Sequence, residues 1–264
     1  MDPGKTGEFM QRSRVNRIMA DAIEVIARAG FHLPPFAWWT PREFQDRATP
    51  AIIDARLGWD ITDYGQGDFD RLGLFLFTLR NGSLAELAGG GGRVYAEKLL
   101  VSRAGQVCPM HTHLLKTEDV INRWGATLAV TLCGSDAAGR IDRQKGVTVD
   151  CDGIARWVDP GGTIHLLPGE SVTLRPGDWH EFRAEGGDVL IGEVSTVNDD
   201  QSDNLFEALL GRFPDIDDDE PPRIFWSATT IHGCAGHRNC EPSQTCETTP
   251  QGVRQTAMLN RGVR

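Results

Sequence analysis

The sequence predicts an all-β fold, a sandwich or barrel of short strands, with an N-terminal helix and strap in front and an irregular tail behind. Three observations carry this expectation. Between about residues 72 and 197, β-rich runs recur at short intervals between Gly, Pro and Asp, the grammar of an antiparallel sandwich or barrel. Near the N-terminus, one stretch repeats apolar residues at helical spacing. Beyond Val197 the chain turns acidic, and then polar with little periodicity.

A single all-β barrel can reach ~250 residues, so the 264 residues here suit one domain with appendages. The expected divisions are a vector-derived or disordered leader over 1–10, a helix and strap over 11–71, a barrel over 72–227 that ends in an acidic loop, and a mobile tail over 228–264. In residues 13–29, Val15, Ile18, Met19, Ala22, Val25 and Ile26 share one helical face, with Ser13 as N-cap and Gly30 as the stop. Residues 31–44, "FHLPPFAWWTPREF", hold three prolines and five aromatics. So apolar an irregular segment reads as a strap lying over the core. Residues 58–73 read as an ordered loop. The strands follow as "LFLFTLR", "VYAEKLLV", "ATLAVTL", "GVTVDC", "IHLLPG", "ESVTLRPG" and "DVLIGEVS".

Charge and cysteine usage exclude several classes. A net charge of −10 leaves no basic stripe for nucleic acid or an anionic membrane surface. No apolar run approaches the ~18 residues of a membrane-spanning helix, and the N-terminus lacks the apolar core of a secretory signal. Six cysteines are too sparse for a disulfide scaffold, and Cys108, Cys133 and Cys151 lie in or beside apolar runs. A cytoplasmic protein is expected. In the tail, His232, Cys234, His237, Cys240 and Cys246 lack the knuckle spacing of a zinc site and read as a polar extension with free thiols.

The chemistry concentrates in "GQVCPMHTHLLKTEDVINRWG", residues 105–125. Alternate residues of a strand share a face, so His111 and His113 can address one ion. Glu118 follows after four residues, enough for a turn that brings a carboxylate back. His180 ends "LRPGDWH", where a Pro-Gly turn delivers it to a barrel mouth. Three nitrogens and one oxygen suit Mn²⁺, Fe²⁺, Co²⁺, Ni²⁺ or Zn²⁺ and leave two octahedral positions open. Lys116, between two of these ligands, is placed to donate to an oxygen beside the ion or steady an oxyanion.

The spacing from Gly105 through His111, His113 and Glu118 to Gly125 reproduces the first motif of the cupin barrels, and "GESVTLRPGDWH" resembles their second. The second motif's usual downstream Asn is missing. Residues 11–224 further resemble the cupin-type D-lyxose ketol-isomerases, most specifically in "MHTH" followed by "KTEDVINR". The resemblance implies a jelly-roll-like cupin barrel and a metal site of His111, His113, Glu118 and His180, with manganese favoured. It also implies a small neutral sugar as substrate and a homodimer. The implied reaction interconverts D-lyxose and D-xylulose, with D-mannose and D-fructose as a side activity, through a cis-enediol. Two departures stand out. Trp124 occupies a position where family members often have glycine, and Asp217, in "FPDIDDDEPP", stands where a proton-transferring glutamate is expected. By position, Lys116, Asp217 and Arg223 are the catalytic candidates, with Asp218 and Glu220 as substitutes for Asp217. Trp39, Trp59 and Trp179 could offer flat faces to a sugar ring. A non-haem iron dioxygenase and a non-catalytic sugar-binding cupin are the alternative readings.

Overall fold

A computed structural model describes residues 10–200, 202–211 and 216–224. The expectations for the leader before Met10 and for the tail beyond Ile224 lie outside these residues. In chain order the elements are β1 (Met10–Gln11), α1 (Arg12–Arg28), a 3₁₀ turn (Pro35–Trp38), α2 (Pro41–Arg47), α3 (Pro50–Asp54), β2 (Gly58–Thr62), β3 (Leu74–Arg80), α4 (Leu84–Ala88), β4 (Tyr95–Ser102), β5 (Val107–His113) and β6 (Glu118–Ser135). There follow β7 (Ile141–Asp142), β8 (Val147–Cys151), β9 (Ile154–Val158), β10 (Gly162–Leu166), β11 (Ser171–Leu174), β12 (Trp179–Thr196), β13 (Asn204–Phe206) and β14 (Ile216–Asp217). The all-β expectation agrees with this architecture. Among the described residues no helix is long and apolar enough to cross a membrane.

The sheet runs β2-β3-β4-β12-β6-β11-β8-β9, with β10 and β5 joining at the long strands β6 and β12. Among the described residues no pairing joins β9 to β2, so hydrogen bonds do not close it into a full barrel. β6 and β12 are the spine. The first part of β12 pairs with the later part of β6 (His180↔Leu132), and its last part with the start of β6 (Ser195↔Glu118). The register breaks between Glu185 and Val189, opposite Gly125. Gly125 adopts φ +110°, and a Cβ there would meet the Asp188 carbonyl oxygen at 2.1 Å, so only glycine fits this bulge.

Strand alternation splits the apolar residues between two cores. Leu74, Leu100, Val120, Leu128, Val130, Val172, Phe182 and Ile191 face inward. Trp59, Ile61, Phe75, Phe77, Leu99 and Val101 face outward, where Val15, Met19, Ala22, Val25 and Ile26 of α1 cover them. The helix ends as expected: Gly30 has φ +72°, and the Phe31 N–H reaches back to the Ile26 oxygen, a Schellman closure. Its start differs. Gln11, without a side-chain bond, is the N-cap, and Ser13 instead donates its backbone N–H to Asp219 Oδ1 at 2.8 Å.

The strap lies over the outer core as expected. Phe36 stacks on Phe77 at 5.4 Å, and the Trp59 indole donates to the Ala37 oxygen at 2.8 Å. The expected loop at 58–73 needs correction, because its first five residues form β2, wholly buried and paired with β3. Asp60 and Thr62 hid that strand: they face the interior cavity, whereas Trp59 and Ile61 face the outer core. Cys108, Cys133 and Cys151 are buried free thiols.

Candidate metal centre

The register of β5 against β12 sets His180 directly across from His111. His113 stands two residues along β5, and Glu118 opens β6 after a tight turn. The three imidazole rings lie 4.1–5.6 Å apart between centroids. One donor atom from each of His111, His113, Glu118 and His180 falls within 4.8 Å of all the others, and all four residues are buried. Glu118 Oε1 lies 3.1 Å from His113 Nε2 and 3.2 Å from His180 Nε2.

Hydrogen bonds select the ring nitrogens left for an ion. The Nδ1–H of His111 donates to the Pro109 oxygen at 2.7 Å, and that of His180 to the Asp178 oxygen at 3.0 Å. Each Nε2 therefore keeps its lone pair. His180 Nε2, buried beside Glu118, makes no aligned hydrogen bond. Burial pushes the His111 pKa well below its ordinary value, reinforced by His180 and His113, and burial likewise lowers that of His113. Burial opposes charge on Glu118, but Lys116 and then His113 outweigh it and hold the carboxyl well below its usual range. Three imidazoles and an ionised carboxylate, aimed at one point with a buried nitrogen lacking a partner, fit a divalent cation.

His111, His113 and Glu118 line an interior cavity of about 320 Å³, within the usual range for small-ligand pockets. Lys116 and Lys98 line it, both buried. Lys116 Nζ lies 2.6 Å from Glu118 Oε2 and 2.9 Å from Glu193 Oε1. Burial disfavours its ammonium, yet Glu118, Glu193 and Asp200 raise its pKa above the ordinary lysine value. Lys98 Nζ donates to Asn198 Oδ1 at 2.8 Å and Asp200 Oδ1 at 3.1 Å, and sits 3.4 Å from Glu193 Oε1. Leu74, Leu76, Leu100, Val120, Phe182 and Ile191 supply the apolar remainder.

Of the residues singled out from sequence, the structure brings together His111, His113, Lys116, Glu118 and His180. Asp217 and Arg223 stand elsewhere and do not line the cavity. Asp217 is exposed on β14, paired with Gln11 beside the start of α1. Arg223 points outward, with its backbone N–H on Asn16 Oδ1. Asp218 pairs with Arg12 at 2.7 Å, and Glu220 accepts from Asn16. The acidic loop thus docks where a helix N-terminus favours negative charge. Trp59 lies in the outer core and Trp179 packs with Met110 and Cys133; neither, nor Trp39, lines the cavity. Sequence reasoning missed Lys98, Glu193, Asn198 and Asp200. For the first two a signal existed: each is a charge inside an apolar strand run, at the parity of its inward neighbours Leu100 and Ile191.

A sheet scaffold that gathers three histidines and a glutamate beside an internal cavity defines a cupin-like protein with a candidate metal site. The family model described as D-lyxose isomerase matches residues 10–228, and the chain belongs to that family. It is 45% identical to the D-lyxose/D-mannose isomerase of Serratia proteamaculans over 219 residues, 81% of this chain and 95% of that protein. It is 43% identical to the D-lyxose/D-mannose isomerase of Escherichia coli O157:H7 over 220 residues, 81% and 96% of the two chains. In fold it resembles the L-ribose isomerase of Cellulomonas parahominis, solved with L-ribose, at TM-score 0.53 and 15% identity, covering 80% of this chain and all of that one.

Proposed function

We propose that the protein is a metal-dependent aldose–ketose isomerase that interconverts D-lyxose and D-xylulose, with D-mannose and D-fructose as the weaker pair. The observation that carries this reading is the buried cluster of three histidines and Glu118 opening onto a cavity that also holds Lys116 and Glu193. His111, His113, Glu118 and His180 would hold the ion, with Mn²⁺ favoured through family resemblance and Co²⁺, Zn²⁺, Fe²⁺ or Ni²⁺ as alternatives. When bound, the ion polarises the sugar carbonyl as a Lewis acid.

The chain's own residues do the rest. Glu193, buried and free of the ligand set, takes the proton from C2, exchanges it with solvent and delivers a proton to C1 across a cis-enediol. Lys116 donates a hydrogen bond to the sugar oxygen that gains charge. Lys98 and Lys116, 3.4 and 2.9 Å from Glu193 Oε1, hold the carboxylate in place. The apolar wall keeps water from the enediol. A neutral sugar needs no basic patch, in keeping with the acidic chain. The reading extends to a homodimer, as the family resemblance implies, and to a cytoplasmic setting, which the free buried thiols suit.

The test is to incubate manganese-loaded protein with a panel of aldoses in D₂O, with and without oxygen. Ketose carrying deuterium at C1, formed equally without oxygen, is the expected result. Oxygen-dependent product would replace this reading with dioxygenase chemistry.

A further inference from the structure

Two of the three histidines have their Nδ1–H tied to a backbone carbonyl, and His113 does not. Its Nδ1 is buried without a hydrogen-bond partner, while its Nε2 faces Glu118. If Nε2 binds an ion, the ring proton must sit on Nδ1, and a buried N–H without an acceptor is costly. The carboxylate facing that nitrogen is Asp203, whose Oδ2 lies 3.9 Å away. A ring shift of about 1 Å would close this gap to an ordinary hydrogen bond.

Asp203 is itself buried, and its remaining capacity is committed to the same loop. Oδ1 accepts the backbone N–H of Leu114 at 3.0 Å and of Leu115 at 2.6 Å, and Oδ2 accepts that of Lys116 at 3.0 Å. These three amides form the turn between His113 and Glu118. The Asp203 backbone oxygen also accepts from Leu114 at 3.1 Å. The next residue begins β13, which pairs Asn204 with His113 and Phe206 with His111. One carboxylate therefore gathers the turn that carries Lys116 and faces the unpartnered nitrogen of a candidate ligand.

We propose that Asp203 is a positioning residue of the metal centre: its carboxylate accepts the Nδ1–H of His113 when Nε2 coordinates the ion, and clamps the Leu114–Lys116 turn. This rests on the metal reading of His113. Asparagine discriminates the role sharply. Its oxygen can still accept from Leu114 and Leu115, but its NH₂ group would turn donors toward the Lys116 N–H and the His113 Nδ1–H.

The experiment is competition of zinc against a fluorescent chelator at a temperature where circular dichroism shows each variant folded. Asp203→Asn should weaken zinc binding about 10- to 100-fold, as losses of outer-shell partners do. In a His113→Ala background, the same change should add less than about threefold, by the additivity logic of a double-mutant cycle. Should Asp203→Asn fail to fold, the zinc-loaded ¹⁵N-labelled parent decides. It should show a slowly exchanging, downfield Nδ1–H for His113, and a His113 ring bound to zinc through Nδ1 would overturn the proposal. So would a folded Asp203→Asn variant with unchanged zinc affinity, or equal losses in both backgrounds. A parent that binds no zinc would remove the metal reading together with this one, whereas parental binding with an unaffected variant removes Asp203 alone.

Discussion

Replacing Glu193 with glutamine removes one charge from the cavity while leaving its shape almost unchanged. The amide oxygen can keep the hydrogen bond from Lys116 Nζ, now 2.9 Å from Glu193 Oε1. Neither lysine is left without a counter-charge, since Lys116 keeps Glu118 at 2.6 Å and Lys98 keeps Asp200 at 3.1 Å. The cost in stability should therefore be only about 1–2 kcal/mol, below the roughly 3–5 kcal/mol of a buried ion left unpaired. Catalysis should suffer far more. An amide cannot take the C2 proton, and losing a general base costs about 100- to 10,000-fold in kcat, or roughly 3–5 kcal/mol of barrier. Glu193 lies outside the ligand cluster, so manganese per chain should be unchanged. The assay is the initial rate of D-lyxose to D-xylulose conversion, with metal content measured on the same samples, for Glu193→Gln beside Asp217→Asn. Asp217, exposed on β14, should be replaceable with kcat unchanged within a factor of about 3, since surface substitutions seldom matter. Glu193→Gln holding kcat within tenfold of the parent, or Asp217→Asn losing as much as Glu193→Gln, would refute the assignment.

His111→Ala and His180→Ala should each lose most of their bound manganese by elemental analysis, and stoichiometric metal in either would remove that residue from the coordination shell. Lys116→Met should take the ammonium from Glu118 and leave Glu193 with Lys98 alone, lowering kcat at least 100-fold and the melting temperature measurably; near-parental kcat on loaded protein would remove Lys116 from the reaction. Gly125→Ala must move the backbone off φ +110° and away from the Asp188 oxygen, which should cost more than about 2 kcal/mol in a urea titration. An unchanged midpoint would mean the bulge adapts.

How much of this was legible in the sequence follows from what each residue depends on. His111, His113 and Glu118 depend on strand parity and one short turn, both local. His180 depends on a Pro-Gly turn at the head of its strand, and the cross-strand register then did the rest. Lys98 and Glu193 meet only because β4 and β12 pair with Lys98 opposite Glu193, a long-range register that no local pattern reveals. Asp217 failed to reach the cavity for a related reason. An acidic run says that the loop is charged, not which partner claims it, and Arg12, Asn16 and the start of α1 claim this one. β2 was obscured because Asp60 and Thr62 line the cavity, so a strand buried on both faces alternates polar with apolar residues instead of reading as one apolar run. Polar residues at inward positions are the mark of a functional wall.

The most direct test strips the protein with chelator, returns manganese in measured steps, and follows D-lyxose to D-xylulose conversion at each step. Turnover should be absent from the stripped protein, rise in proportion to bound metal, and level off at one ion per chain. Full turnover by protein shown to be metal-free would contradict it, as would a stoichiometrically loaded protein that makes no ketose from any aldose offered.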